Sequence, residues 1–305
     1  GNGDYDHALA ELDTAAQSLP NNAGVFELTA RIERRLARWN EALRHFSRAG
    51  ELDPREPSHL VSVAITYRLL RHYTEAEHTA DDGIAEFPKA ADAFWNEKAE
   101  LALAQGDVAR ARSAIEKISS SNAFPWMRFR TAFYARDYVE AGHIGLAQWE
   151  SKDESYMRFA AIWLALAARS QSDIDKMRSF LLAARKDYET GASAKIDPDG
   201  LSSMGLIDAA LGRKGEALRE AQKAIELRPI SRDAVEGPQY VTNLALVYAW
   251  TGERDRALEG LSTVAKVPDG PTYGELKLDP RWDELRGDAR FEQLMAEATK
   301  PIPLQ

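Results

Sequence analysis

His78 stands three and four residues before Asp81 and Asp82. On a helix that spacing brings an imidazole and a carboxylate to one face, where they could share a divalent metal. Asp197-Pro198-Asp199-Gly200 opens like a calcium loop, with alternating carboxylates ahead of a turn glycine. Asp4/Asp6 and Asp81/Asp82 have the residue type for general acid–base work. None of these sets is complete. The loop lacks a third acidic ligand and a closing glutamate, so it reads as a turn leading into a helix. The carboxylate pairs lack a partner, and His78 with its aspartates reads as solvated helix surface. GxSxG, HExxH, GxxxxGK[ST] and GxGxxG are all absent. With no cysteine, thiolate nucleophiles, zinc–thiolate sites and disulfides are excluded as well. The chain therefore reads as non-catalytic, with no cofactor and no metal.

Composition narrows the class further. Hydrophobic residues make up 44% and charged residues 29% of 305, a normal balance for a soluble, well-packed chain. A net charge of −9 argues against nucleic-acid binding, which needs a basic footprint. The most apolar stretch, Ile162 to Ala168, falls far short of the ~18 residues a membrane span needs. The N-terminus has no basic region followed by an apolar stretch, so it is not a signal peptide. It starts in mid-repeat, which suggests a fragment of something longer. The compartment stays open between the cytoplasm and the extracytoplasmic part of a membrane-anchored regulator.

The elements available to position functional groups are helices of one recurring kind. Pro20, Pro54 and Pro88 are 34 residues apart, and twelve residues before each stands Ala8, Ala42 or Ala76. Tyr5, Trp39 and Tyr73 occupy one equivalent aromatic position. The alanine slot continues at Ala111, Ala141, Met177, Ala217 and Ala257, giving eight second helices, seven with a helix before them.

At these residues the chain resembles the tetratricopeptide repeat family. The second unit supplies Phe26, Ala30, Ala42, Phe46, Ala49 and Pro54, and the third Leu60, Ala64, Tyr67, Ala76, Ala80 and Pro88. The seventh has Leu201, Gly205, Ala217, Ala221, Ala224 and Pro229. Units five and six depart most, with Gly145 and Gln148 at sites that want bulky and small residues. The resemblance implies an all-α, right-handed superhelical solenoid of antiparallel helix pairs over residues 1–268, about eight units long. Small residues three and four apart let paired helices approach, and large ones such as Phe46 and Trp95 fill the space to the next unit. Gly3, Gly106, Gly212 and Gly252 fall where the chain turns within a pair.

Residues 269–305 read as a capping segment and tail. Leu276, Asp279, Pro280, Asp283, Leu285, Arg286, Asp288, Arg290 and Phe291 resemble a stretch that follows tetratricopeptide arrays in bacterial signalling and regulatory proteins. Asp288 looks like a helix N-cap, with Phe291, Leu294 and Met295 on one packed face.

Arrays of this family place the first helix of each pair along a concave groove. The resemblance then implies groove positions at Glu27, Arg31 and Arg34, at Val61, Ile65 and Arg68, and at Asn96, Glu100 and Leu103. Units five and six add Trp126, Arg130, Phe133, Ile162 and Arg169. Arginine binds carboxylates and phosphates through bidentate hydrogen bonds. The expected partner is thus a protein or peptide segment of acidic character. In the blander alternative these arginines pair with Glu27, Glu33 or Glu100 as solvated surface. The functional expectation is a protein–protein interaction scaffold, the sensory or partner-binding part of a larger bacterial regulator. The competing reading is a small-ligand or peptide receptor that signals through solenoid curvature.

Overall fold

The computed structural model describes residues 4–119, 124–151, 162–168, 172–190 and 197–304. A lone helix α1 (Tyr5–Ser18) comes first. Pairs follow: α2 (Ala23–Arg35) with α3 (Trp39–Leu52), α4 (Ser58–Leu69) with α5 (Tyr73–Glu86), and α6 (Ala91–Ala104) with α7 (Val108–Ile115). Next come α8 (Pro125–Tyr134) with α9 (Tyr138–Glu150), and helical residues 162–168 (α10) with α11 (Ile174–Thr190). The last pairs are α12 (Pro198–Ala210) with α13 (Lys214–Leu227) and α14 (Gly237–Trp250) with α15 (Arg254–Val264). The eight second helices fall where the alanine slots place them, and the pairs wind into a right-handed superhelical solenoid.

Small residues make the pairing close. Ala30, Ala42, Ala64, Ala76, Ala217 and Ala221 are fully buried. At Gly205 a Cβ would stand 3.0 Å from the Ala221 Cβ, so α12 and α13 touch almost backbone to backbone. Phe46 fills its space as expected, but in the fourth unit Phe94, not Trp95, is the fully buried ring. Phe94 lies against Gly83, whose Cβ would otherwise come within 2.2 Å of it. Gly145 occupies a bulky site in the repeat because Leu164 of α10 reaches in: a Cβ there would meet Leu164 Cγ at 3.1 Å.

Among the described residues, every turn within a pair contains one left-handed residue. These are Ala37, Arg71, Gly106, Arg136, Ser172, Gly212 and Gly252, with φ between 60° and 81°. Glycine was expected at this position, and Gly3 lies outside the described residues. Four turns hold a residue with a Cβ there, at a cost of roughly 1 kcal/mol each.

The last segment contains α16 (Tyr273–Leu278), a 3₁₀ turn (Pro280–Leu285) and α17 (Ala289–Glu297). Asp288 caps α17 by accepting from the Arg290 N–H at 2.9 Å. Phe291 and Leu294 are buried with Trp282 and Leu285 against α14 and α15. The rest of the segment turns inward. Arg71 is buried and donates to the carbonyls of Ala265 (2.9 Å) and Pro271 (3.4 Å). Arg136 makes a bidentate pair with Asp283 at 2.5 and 2.8 Å. At the tail, Ile302 N–H donates to Leu70 and His72 Nε2 donates to the Ile302 carbonyl, both at 2.9 Å. The start of the solenoid also meets its later units: Ala234 N–H donates to Arg35 O at 2.7 Å, and buried Asp233 accepts from Arg35 and Tyr5. No helix among the described residues is long and apolar enough to cross a membrane.

Candidate partner-binding chamber

The arginines expected along the groove are engaged within the chain. Arg31 pairs with Glu27 at 2.5 Å one helical turn away and is half exposed. Arg34 lays its guanidinium over the Phe46 ring at 5.4 Å and donates to Thr66 Oγ1 at 3.3 Å, leaving its buried Nε without a partner. Burial pulls its pKa down to about 10. Arg68 donates through Nε to Glu97 at 2.5 Å, and Arg130 pairs with Glu100. Burial works against the Arg68 charge, but Glu97 and Glu100 outweigh it and raise its pKa. Burial also pushes the Glu97 carboxyl up to about 7, against the pull of Arg68. Asn96 keeps a buried side-chain oxygen without a partner. Arg169 lies outside the described residues. Of the motif-like groups, Asp81 pairs with Lys98 and Asp197 caps α12 through the Gly200 N–H at 2.6 Å.

Arg68, Glu100, Trp126 and Arg130 do come together, around a cavity of about 340 Å³. Trp126, Arg130 and Phe133 line an adjoining cavity of about 600 Å³, so Trp126 and Arg130 stand between the two. Arg31, Arg34 and Asn96 line neither. The larger cavity has an aromatic wall on α8 and α10: Phe129 stacks on Trp163 at 4.8 Å and on Phe133 at 5.5 Å. Arg130 covers the Trp126 ring at 4.4 Å, and Trp126 is 37% exposed. A polar wall comes from α12 and α14. There Gln239 donates to Asn243, Asn243 to Ser202 at 2.9 Å, and Tyr240 Oη to Asp199 at 2.7 Å.

The C-terminal segment supplies groups that the repeat pattern did not indicate. Asp269, Thr272 and Glu275 line the smaller cavity, and Asp279 and Arg281 the larger. Asp279 is buried and takes Arg281 at 2.6 Å. Burial pushes the Asp269 carboxyl up to about 7, with Arg68 and Arg34 pulling it down and Glu275 and Glu100 adding to the rise. Ser202, Leu206 and Thr242 also line the cavities. Ser202 and Thr242 fall at the offset from Gly205 and Ala245 that places Glu27 and Val61 from Ala30 and Ala64, and Leu206 at the offset of Arg31 and Ile65, so periodic counting carried two units further finds them. Nothing in the sequence signals that Asp269 to Arg281 would lie against the same groove.

The charge is the reverse of that expected. Among the described residues three arginines line the cavities, Arg68, Arg130 and Arg281, and each is paired with a carboxylate. Against them stand six lining carboxylates: Asp197, Asp199, Asp279, Asp269, Glu100 and Glu275. Among these described residues the formal excess is three negative charges, or two with Asp269 protonated. An acidic segment would meet no unpaired arginine among the described lining residues.

No family model and no curated protein sequence matches the chain. Among solved structures, the chain is similar to the APC/C hetero-tetramer Cut9-Hcn1, with a TM-score of 0.51 and 15% identity over 98% of this chain and 53% of that one. It is also similar to yeast Tom70, with a TM-score of 0.49 and 16% identity over 90% and 60% of the two chains. A tetratricopeptide repeat protein from Parabacteroides merdae aligns over 98% and 93%, with 12% identity and a TM-score of 0.39. The chain spans about half the length of the Cut9-Hcn1 chain it matches. At 15% identity that likeness establishes the fold.

Proposed function

We propose that this chain, a tetratricopeptide-type solenoid in fold, is a non-catalytic scaffold that holds a protein segment in the chamber between α8, α10, α12 and α14. The observation that carries this reading is the 600 Å³ cavity, with an aromatic wall facing a polar one. Binding sites combine such apolar surface with a few fixed hydrogen-bonding groups. Gln239, Asn243 and Tyr240 are already oriented by their own hydrogen bonds, so little ordering remains to oppose binding. The contact surface in this proposal is narrower than the arginine row, because Arg31 and Arg34 lie away from both cavities and units two to four face the chain's own C-terminal segment. The array would serve as the partner-binding part of a larger regulatory protein. The resemblance of Leu276 to Phe291 to the stretch that follows such arrays supports that context.

Selection of a displayed random peptide library on the wild-type chain tests this. Recovered peptides should bind the Trp126→Ala variant at least about tenfold more weakly, the loss expected when a central aromatic contact is removed. Trp126 is partly exposed, so its removal spares the core. No enriched sequence, or equal binding to the variant, would remove the chamber as the partner site.

A further inference from the structure

We infer that the chamber selects a cationic group, the alkylammonium or guanidinium of a basic residue, on the segment it holds; this rests on the chamber being the partner site. Three independent features point there. The first is electrostatic: among the described residues all three lining arginines are paired, and carboxylates remain in excess. Asp199 is the most exposed of these, its side chain 70% exposed, although its Oδ2 already forms a long ion pair with Arg228 at 3.7 Å.

The second feature is aromatic density. Seven of the twenty described residues lining the larger cavity are aromatic, among them Trp126, Trp163 and Tyr240. Ring faces carry negative potential and attract cations that approach within about 6 Å. A wall of this kind attracts a guanidinium or ammonium and repels a carboxylate.

The third feature is that the protein already uses this contact with its own residues. Arg130 lies over Trp126 at 4.4 Å, and Arg228 lies over Tyr240 at 5.9 Å while bonding its hydroxyl at 2.9 Å. Tyr240 passes that polarity on by donating to Asp199. An incoming cation would sit where ring faces and the Asp199 carboxylate are both within reach. Neutral hydrogen-bonding groups such as Gln239 and Asn243 would remain for the backbone of the segment.

The test uses fluorescein-labelled peptides Ser-Phe-Xaa-Gly-Ser with Arg, Lys, Gln or Glu at Xaa, measured by fluorescence anisotropy on the full chain. The Arg and Lys peptides should bind about 5- to 30-fold tighter than the Gln peptide, and the Glu peptide weakest, the range of a cation meeting rings at partly desolvated sites. Asp199→Asn keeps an acceptor for Tyr240 but removes the charge, so it should erase most of the Arg-over-Gln preference. Equal binding of all four peptides, with each weakened by Trp126→Ala, would overturn the cation inference and leave the chamber reading standing. No peptide weakened by Trp126→Ala would overturn both. Free agmatine binding as tightly as the Arg peptide would make the ligand a small cation and overturn the choice of a protein segment.

Discussion

The backbone of Gly274 lies against Leu103. A Cβ built on Gly274 would stand 1.7 Å from the Leu103 carbonyl oxygen and 2.7 Å from the Gly106 nitrogen. Both opposing atoms are backbone, at the end of α6 and the start of its turn, so neither can yield as a flexible side chain would. The first residues of α16 are thus seated on the fourth unit by backbone contact. That seating holds Asp269, Thr272 and Glu275 in the groove.

Gly274→Ala should therefore destabilise the chain by about 2–3 kcal/mol, the upper range for forcing extra volume into a packed site. Urea denaturation followed by circular dichroism gives the number. A variant as stable as the wild type would mean that α16 does not rest on α6.

Closure between the first and later units depends on Asp233. Its carboxylate is fully buried and accepts from Arg35 at 2.5 Å, Tyr5 Oη at 2.6 Å, and the N–H groups of Val235 and Glu236. Asp233→Ala leaves these donors without their acceptor and should cost about 2–4 kcal/mol. The loss should appear first in hydrogen exchange of α1 and α2, which the contact ties to the α13–α14 connection. Unchanged protection in α1 and α2 would show that the contact does not join the two ends.

The repeat was legible because its cause is local. A small residue at Ala42 or Ala217 and a stop at Pro54 or Pro229 are demanded by the packing of neighbouring helices. Each therefore leaves a periodic mark. The groove positions at Arg68, Glu100 and Arg130 followed from the same period. Pairing with Glu27 and Glu100 was among the expected alternatives, and Arg31 and Arg130 take them, but the partner of Arg68 was not: it meets Glu97 across a unit boundary. Side-chain pairing of that kind depends on the angle between neighbouring units, which periodicity does not encode. Asp269 and Arg281 were less legible still, because their place depends on where an aperiodic segment folds back. The use of Phe94 over Trp95 is a one-residue rotation of a helix face, within the reach of either ring.

The left-handed position in each intra-pair turn should respond to substitution with opposite signs in different units. At Gly212, φ is 79° and an added Cβ would meet nothing within 4 Å, so any cost of Gly212→Ala is backbone strain. That cost should be about 1 kcal/mol. Ala37 already bears such strain at φ 61°. Ala37→Gly should relieve it, with the gain partly offset by the greater freedom of glycine in the unfolded chain. The net change should lie between zero and about 1 kcal/mol of added stability. A loss at Ala37→Gly equal to that at Gly212→Ala would contradict a shared turn geometry.

Asp269 makes the stability of the groove depend on pH in a definite direction. Its carboxyl titrates near 3.8 when solvated and is pushed up to about 7 in the fold, chiefly by burial. Between those values the folded state binds more protons than the unfolded state, so this group favours folding at the acidic end of the window. The advantage is lost as pH rises towards 7. Asp269→Asn removes the titration but keeps the shape. Relative to the wild type, the variant should become more stable from pH 4 to 7, by at most about 1.4 kcal/mol per pH unit, and the difference should level off above pH 8. Urea titrations of both proteins at pH 5, 6, 7 and 8 measure it. A difference that stays constant across that range would mean that Asp269 titrates as a solvated carboxyl, outside the groove.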